Sequence, residues 1–179
     1  MLLTTARLTL RDFEAEDGRD LFAYLSDPEV VRFEGYDPFT EAQAKQEAKR
    51  RAHDDAFVAV CLRDTGRLIG NLYFAKKKFE GAELGYVFSR EFQHHGYATE
   101  AAEALLHCAF EEMGVHRVCA ELNPLNHASE RLVKRLGFRR EAWLKQDKCF
   151  EHDKETGEPI WQDTLIYAAL RDEWLRKHA

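Results

Sequence analysis

The stretch "QHHGYATEAAEALL" (residues 93–106) puts a glycine and two small residues where an amphipathic helix begins, with no lysine among them. The first turn of a helix has unpaired backbone N–H groups and partial positive charge, so it can receive an anion without any side chain. Gly96 lets such a ligand approach the backbone, and Ala98 and Thr99 keep the approach open. A pyrophosphate would suit this turn. A tight strand-to-helix connection would also place a glycine here, and the short motif alone leaves both readings standing. Neither the Gly-Lys-Ser/Thr nucleotide loop nor the three-glycine dinucleotide fingerprint is present. Further on, Asn126 and Ser129 stand three apart at the start of another helix and so share a face. Asn126 equally suits a plain N-cap.

The elements that must hold these groups follow from hydrophobic period. Residues 7–13 alternate apolar and polar, as a half-buried strand does. Residues 17–25 carry Leu21, Phe22 and Leu25 at helical spacing, and "SDPEV" then interrupts the run. Thr40 followed by Gln43 signals a capping box for a helix reaching about His53. "FVAVCLR" and "RLIGNLYFA" flank the turn sequence "DTG" and form a hairpin. "AELGYVF" is a strand, residues 98–113 the strongest helix, "HRVCAEL" a strand, and residues 126–136 a helix closed by Gly137. "FRREAWL" and "WQDTLIYAAL" are strands separated by "QDKCFEHDKETGEP", which reads as a long turn, and residues 171–177 form a last helix. Strand–helix–strand through the middle implies a right-handed crossover between parallel strands. The expected architecture is a single α/β domain over residues 1–179, with a mixed sheet and helices packed on it.

At 179 residues the chain can bury a real core. Its 45% hydrophobic and 32% charged residues are those of an ordinary soluble globular protein. The formal charge of −6 argues against a nucleic-acid partner. No apolar run approaches the roughly 20 residues of a membrane helix, and "MLLTTARLTL" lacks the pattern of a signal peptide. No membrane partner and a cytoplasmic location are expected. Cys61, Cys108, Cys119 and Cys149 form no C-x-x-C pair and read as reduced, mostly buried thiols. His94 and His95 are successive and point apart, so no metal is expected. Trp143 and Trp161 read as core.

Taken together, "FQHHGYATEA" resembles the acyl-coenzyme A pyrophosphate loop of the GNAT N-acetyltransferase superfamily, Gln/Arg-x-x-Gly-x-Gly/Ala, through Gln93, Gly96 and Ala98. The preceding "AELGYVF" and the following "HRVCAELNPLNHASERLVKRLGFRREA" match the family's next elements in order and spacing. "ARLTLRDF" and "DTLIYAALRDEW" resemble the branch of ribosomal-protein N-terminal acetyltransferases. The resemblance implies the GNAT fold, a mixed sheet splayed at its centre with helices on both faces. It also implies acetyl-CoA as cosubstrate and transfer of its acetyl group to a primary amine by direct attack on the thioester.

On that resemblance the cofactor lies where "AELGYVF" and "HRVCAEL" splay apart. Its pyrophosphate would rest on backbone N–H groups of His94, His95, Gly96, Tyr97, Ala98 and Thr99. Pantetheine would pair with the strand edge at Tyr86, Val87 and Phe88, and Asn126 and Ser129 would lie beside its arm. The attacking amine must lose a proton, and Glu83 is the base by position, or a water chain takes that part. Many relatives carry an acidic tyrosine where this chain has Val133. Ser129 is a possible substitute, and the acid stays unassigned. Residues 31–40 should border the acceptor, with Glu34, Tyr36 and Asp37 placed to recognise a cationic amine. The acidic stretch "EHDKETGEP" would flank the same mouth or simply form the tip of a hairpin. Peptide, protein N-terminus and small molecule all remain open as acceptors. The chain is expected to act as a monomer or homodimer. A CoA-binding regulatory or interaction module without catalysis is the alternative.

Overall fold

The computed structural model describes residues 2–178. Its strands are β1 (Leu2–Thr4), β2 (Leu8–Asp12), β3 (Phe57–Leu62), β4 (Leu68–Lys77), β5 (Gly81–Phe88), β6 (Arg117–Leu122), β7 (Arg139–His152) and β8 (Pro159–Leu170). Its helices are α1 (Gly18–Leu25), α2 (Pro28–Val31), α3 (Glu41–Arg51), α4 (Tyr97–Glu111), α5 (His127–Arg135) and α6 (Arg171–His178). The strands form one eight-stranded sheet in the order β1-β2-β3-β4-β5-β6-β8-β7. Only β5 and β6 run parallel, joined through α4, and every other neighbouring pair is antiparallel. The sheet is mixed and helices cover both of its faces.

Strand β3 shows how the two faces are filled. Val58 and Val60 enter one core, with Ala101, Leu105 and Ala109 of α4 and Leu132 of α5. Ala59 and Cys61 point the opposite way, into a second core with Leu21, Tyr24 and Leu25 of α1 and Ala48 of α3. Both sides of a central strand are therefore buried, which is why "FVAVCL" is apolar throughout. Cys61 lies within this second core, and burial pushes its thiol up to about 11. The other three cysteines are only partly buried.

The position of the site is set by a short ladder. β5 and β6 pair only through Gly81–Arg117, Ala82–Val118 and Glu83–Cys119. Beyond Glu83, β5 stays bonded to β4 as far as Phe88, while β6 stays bonded to β8. The two parallel strands thus part, leaving the inner edge of β5 from Leu84 onward with no strand beside it.

Several sequence expectations are corrected. "PEVV" is a short helix and not a mere interruption, because Asp27 caps it by accepting from the Glu29 N–H and Pro28 sits in its first turn. Strand β1 was not foreseen, since three residues are too few to show alternation. Most of the supposed long turn after residue 145 is strand, and only the residues between His152 and Pro159 turn the chain. Register shifts at Arg140/Ala142, Leu144/Lys148 and Cys149/Glu151 interrupt the pairing of β7 with β8. The shifts at Arg140/Ala142 and Cys149/Glu151 each insert one extra residue in β7 and reverse which residues face which side, and the one at Leu144/Lys148 loops out two, so the period of two never shows in the sequence. Trp143 and Trp161 are not core residues: they are 48% and 53% exposed on this hairpin. Trp143 donates its indole N–H to Asp163, and the Lys145 ammonium lies 3.9 Å above its ring.

Candidate active site

Beyond Phe88 the chain makes a 3₁₀ turn at Arg90–Phe92 and then reaches the loop before α4. The Gln93 amide donates to the Phe88 carbonyl at 3.2 Å, tying the loop to the end of β5. His94 and Gly96 both adopt left-handed backbone, with φ of 64° and 82°. Left-handed residues alternating with right-handed ones can curl successive N–H groups toward a common centre. Gly96 caps α4 without any side-chain cap bond, so the helix presents bare N–H groups. The loop is braced from behind. Arg7 donates to the His95 carbonyl at 3.0 Å, stacks 4.5 Å over Tyr97, and pairs with Glu100 at 2.6 Å. Burial works against the Glu100 charge, but hydrogen bonds from Thr5 and Arg7 outweigh it and hold the carboxyl below its ordinary value.

A cavity of about 470 Å³ opens on this loop. Gln93, His94, Gly96, Tyr97, Ala98 and Thr99 line it from the loop side, and Tyr86, Val87 and Phe88 line it from the free edge of β5. Asn126 and Ser129 line it from the start of α5. His95 alone among the expected cofactor residues does not. Its Nδ1 lies 2.7 Å from the Gln93 carbonyl and its ring stacks on Tyr97. The structure adds Arg131 and Arg135, one helical turn apart on α5. Among the described residues neither arginine forms an ion pair. The i, i+4 basic pair was visible in the sequence, but its direction was not. Asn126 is indeed an N-cap, accepting the Ser129 N–H at 3.1 Å, and it reaches the cavity as well.

A second cavity, of about 700 Å³, lies on the other side of the splay. Glu34, Tyr36 and Glu83 line it, with Arg51 and Asn71 at its floor. Glu83 meets Lys77 at 2.5 Å, and this bond raises the lysine's pKa. Arg51 is only 4% exposed. It donates to Glu47 at 2.8 Å and to Asn71 at 3.0 Å, and Asn71 also accepts the Tyr24 hydroxyl at 2.8 Å. Burial opposes the Glu47 charge, yet bonds from Arg50 and Arg51 keep its carboxyl below the ordinary value.

The acidic stretch 151–158 does not flank this mouth. It sits at the exposed tip of the β7–β8 hairpin, because the bulged strands carry the turn beyond the cavity. Lys148, Phe150, Gln162 and Asp163 line the cavity instead. The Phe150 ring packs on the backbone of Gly35, where a Cβ would come within 3.0 Å of it, so the hairpin touches the segment after α2. Asp163 is held at about 2 by Lys145, with help from the Gln146 N–H and Trp143. Asp37 does not line either cavity.

Phe33, Glu34, Tyr86, Val87, Asn126 and Ser129 line both cavities and mark where they meet. There the Tyr86 hydroxyl lies 2.7 Å from Ser129 Oγ. Burial raises the pKa of Tyr86, the Ser129 bond works against this, and the Glu34 charge adds to it. Burial also pushes the Glu34 carboxyl up, partly offset by Arg51. Val133, where an acidic tyrosine is common in the family, lies fully buried in the core and offers no proton. Among the described residues, no three His, Cys, Asp or Glu side chains gather as a metal site.

Residues 7–139 match the family described as "Acetyltransferase (GNAT) domain". The chain is 39% identical over 176 residues to the uncharacterized N-acetyltransferase YnaD of Bacillus subtilis (strain 168), covering 97% of this chain and 99% of that one. It is 29% identical to the uncharacterized N-acetyltransferase p20 of Bacillus licheniformis, over 96% of this chain and 97% of that protein. Its fold superposes on the crystal structure of a GNAT-family acetyltransferase from Bacillus anthracis with a TM-score of 0.86, at 32% identity. That match covers 97% of this chain and all of the other.

Proposed function

Because the chain belongs to the GNAT acetyltransferase family, we propose that it moves the acetyl group of acetyl-CoA onto a primary amine through the two cavities that meet at the splay. That meeting is the observation carrying the reading: the sheet opens beside a bare helix start on one side and an acid-lined chamber on the other. The residues present fit CoA. The αL cap at Gly96 exposes N–H groups for its pyrophosphate, the β5 edge beyond Glu83 offers ladder groups to pantetheine, and Arg131 and Arg135, without ion pairs among the described residues, line the same cavity. When bound, acetyl-CoA supplies an activated thioester. A fixed N–H of the free β5 edge polarises its carbonyl, and Asn126 and Ser129 border the arm.

The acceptor chamber selects a cationic amine. Glu34, Glu47, Asp54, Glu83, Glu121 and Asp163 line it against only Arg50, Arg51 and Lys148, and these three bases are already paired with Glu47, Asp54 or Glu121. Lys77 and Lys145 pair with Glu83 and Asp163, so among the described residues Glu34 is the lining carboxylate left without an ion-pair partner, and its field draws positive charge. A protein N-terminus fits this chamber, in line with the resemblance to the ribosomal-protein branch, and so does a small polyamine.

Thiol release from acetyl-CoA should be measured with spermine, an aminoglycoside, an alanine-started peptide and a neutral hydroxyl control. At least one cationic amine should be acetylated, with a KM that rises as salt is added, because salt screens charges separated by more than roughly 8–10 Å. Tight CoA binding with no turnover on the whole panel would favour a non-catalytic CoA-binding module, the reading to which the buried Val133 lends weight. Arg131→Ala and Arg135→Ala should each weaken CoA binding by about 3- to 10-fold and flatten its salt dependence. Calorimetry at two ionic strengths checks this, and unchanged affinity would place the phosphates elsewhere.

A further inference from the structure

We propose that Glu34 takes the proton from the attacking amine and returns it to the departing thiolate, so that one carboxylate serves both halves of the transfer. The inference rests on the acetyl-transfer reading above and adds to it the group that moves the proton. Two carboxylates compete for that role. Glu83 lines only the acceptor chamber and is held by Lys77 at 2.5 Å. Glu34 lines both cavities at their junction, where amine and thioester must meet. Among the described residues, no hydrogen bond or ion pair engages its carboxylate.

Its backbone is fixed nonetheless, since its N–H donates to the Val31 carbonyl at 2.8 Å at the end of α2. The charged and titratable groups that act on it are Arg51 from α3, Tyr36 from its own segment and Tyr86 from β5. Burial favours its protonated form, which suits a group that must hold a proton briefly at neutral pH. It also costs stability. The folded state binds this proton more tightly than the unfolded chain does. Stability is therefore full below the ordinary carboxylate range and falls as pH rises through the folded value. A residue that weakens the fold at neutral pH, placed where two cavities join, is better explained by chemistry than by packing.

An amine arriving as an ammonium first gives one proton to solvent. Its nitrogen then bonds to the acetyl carbon while the carbon–sulphur bond breaks, and the bonding pair goes to sulphur. The remaining excess proton on nitrogen passes to a Glu34 oxygen, and Glu34 passes it on to the thiolate. That second transfer is downhill, because a thiol near 8.5 holds its proton more tightly than an ordinary carboxyl near ~4.3. Amide and thiol leave, and the carboxylate is restored. Tyr86 keeps its own proton throughout and serves as a neutral donor held in place by Ser129.

The test compares wild type, Glu34→Gln, Glu34→Asp and Glu83→Gln, using the best acceptor of the amine panel from pH 5 to 10. CoA affinity is read by calorimetry and melting temperature at neutral pH. Glu34→Gln should lose about 100-fold or more in kcat with a smaller change in acceptor KM, and lose the acid limb of its rate profile. Its CoA affinity should stay unchanged and its melting temperature should not fall. Glu34→Asp should lose about 10-fold in kcat and keep the acid limb, and it carries the test if Glu34→Gln does not fold. Glu83→Gln should keep the acid limb of its rate profile, with its main loss in acceptor KM. A Glu34→Gln enzyme impaired only in KM would make the residue a recognition group, and an acid limb lost in Glu83→Gln alone would give the role to Glu83. Either result overturns the proposal. A wild type that releases no thiol with any amine would instead overturn the acetyl-transfer reading itself.

Discussion

A Gly96→Val protein is expected to fold and to bind CoA at least about 100-fold more weakly than the wild type. Gly96 has φ of 82° and caps α4 with no side chain assisting. A β-branched residue there is strained by roughly 1–3 kcal/mol, and the loop relieves it by turning its N–H groups out of their common focus. Space is not the main obstacle, since a Cβ would meet only the flexible end of Arg7, at 3.4 Å. The lost affinity follows from the lost donor geometry. Gly66, with φ of 71° and open space around it in the β3–β4 turn, provides the control. Gly66→Val carries a similar strain far from the cavity and should leave CoA affinity unchanged. Calorimetric titration of CoA into both variants decides the matter. Equal affinities for Gly96→Val and wild type would remove the pyrophosphate from this loop.

Arg51→Met should cost about 3 kcal/mol of folding stability, the low end of what is lost when one partner leaves a buried ion pair. Arg51 is the hub beneath the acceptor chamber: it serves Glu47 and Asn71, and its guanidinium lies 4.4 Å from the centre of the Phe57 ring. Methionine fills much of the volume but leaves both acceptors short of a donor. Glu47 keeps Arg50 at 2.7 Å and is partly exposed, which is why the loss should not reach the upper end. Urea unfolding should show a lower midpoint with an unchanged slope. Adding Glu47→Gln should recover part of the loss by removing the uncompensated charge. There is a functional consequence too. Arg51 holds the Glu34 carboxyl down against burial, so its removal should move the acid limb of the rate profile to higher pH. A loss under 1 kcal/mol would mean that water satisfies this network as well as the arginine does.

The elements legible in the chain were those with local causes. Thr40 and Gln43 form the capping box that their spacing announces, and α3 begins at the next residue. Helix α4 spans 97–111 where the apolar stripe predicts 98–113, a difference within the fraying of helix ends. The loop at 93–99 was legible because the free N–H groups of a helix start, and the need for a glycine at positive φ, belong to the backbone of a few successive residues. The parallel pairing of β5 with β6 followed from a handedness rule that needs only element order.

What the sequence could not show depended on residues far apart meeting. Nothing local says that β5 and β6 stop pairing after Glu83, yet that parting opens the site. The hairpin of β7 and β8 was hidden because its bulges erase the alternation that marks a strand, and only the opposing chain reveals the register. Val133 could be read as a missing acid, but only tertiary structure puts the Tyr86 hydroxyl against Ser129, 43 residues away, at the junction. The two glutamates differ in the same way. Both are single acidic letters in the chain. One meets Lys77 across a turn, and the other is carried by α2 to the join of two cavities, where burial favours its proton. Residue type and spacing determined the bare helix start at Gly96 and the family of the chain. Which carboxylate lies at the join of the two cavities was decided by packing, because desolvation and charge at a point are sums over neighbours that adjacency in sequence does not encode.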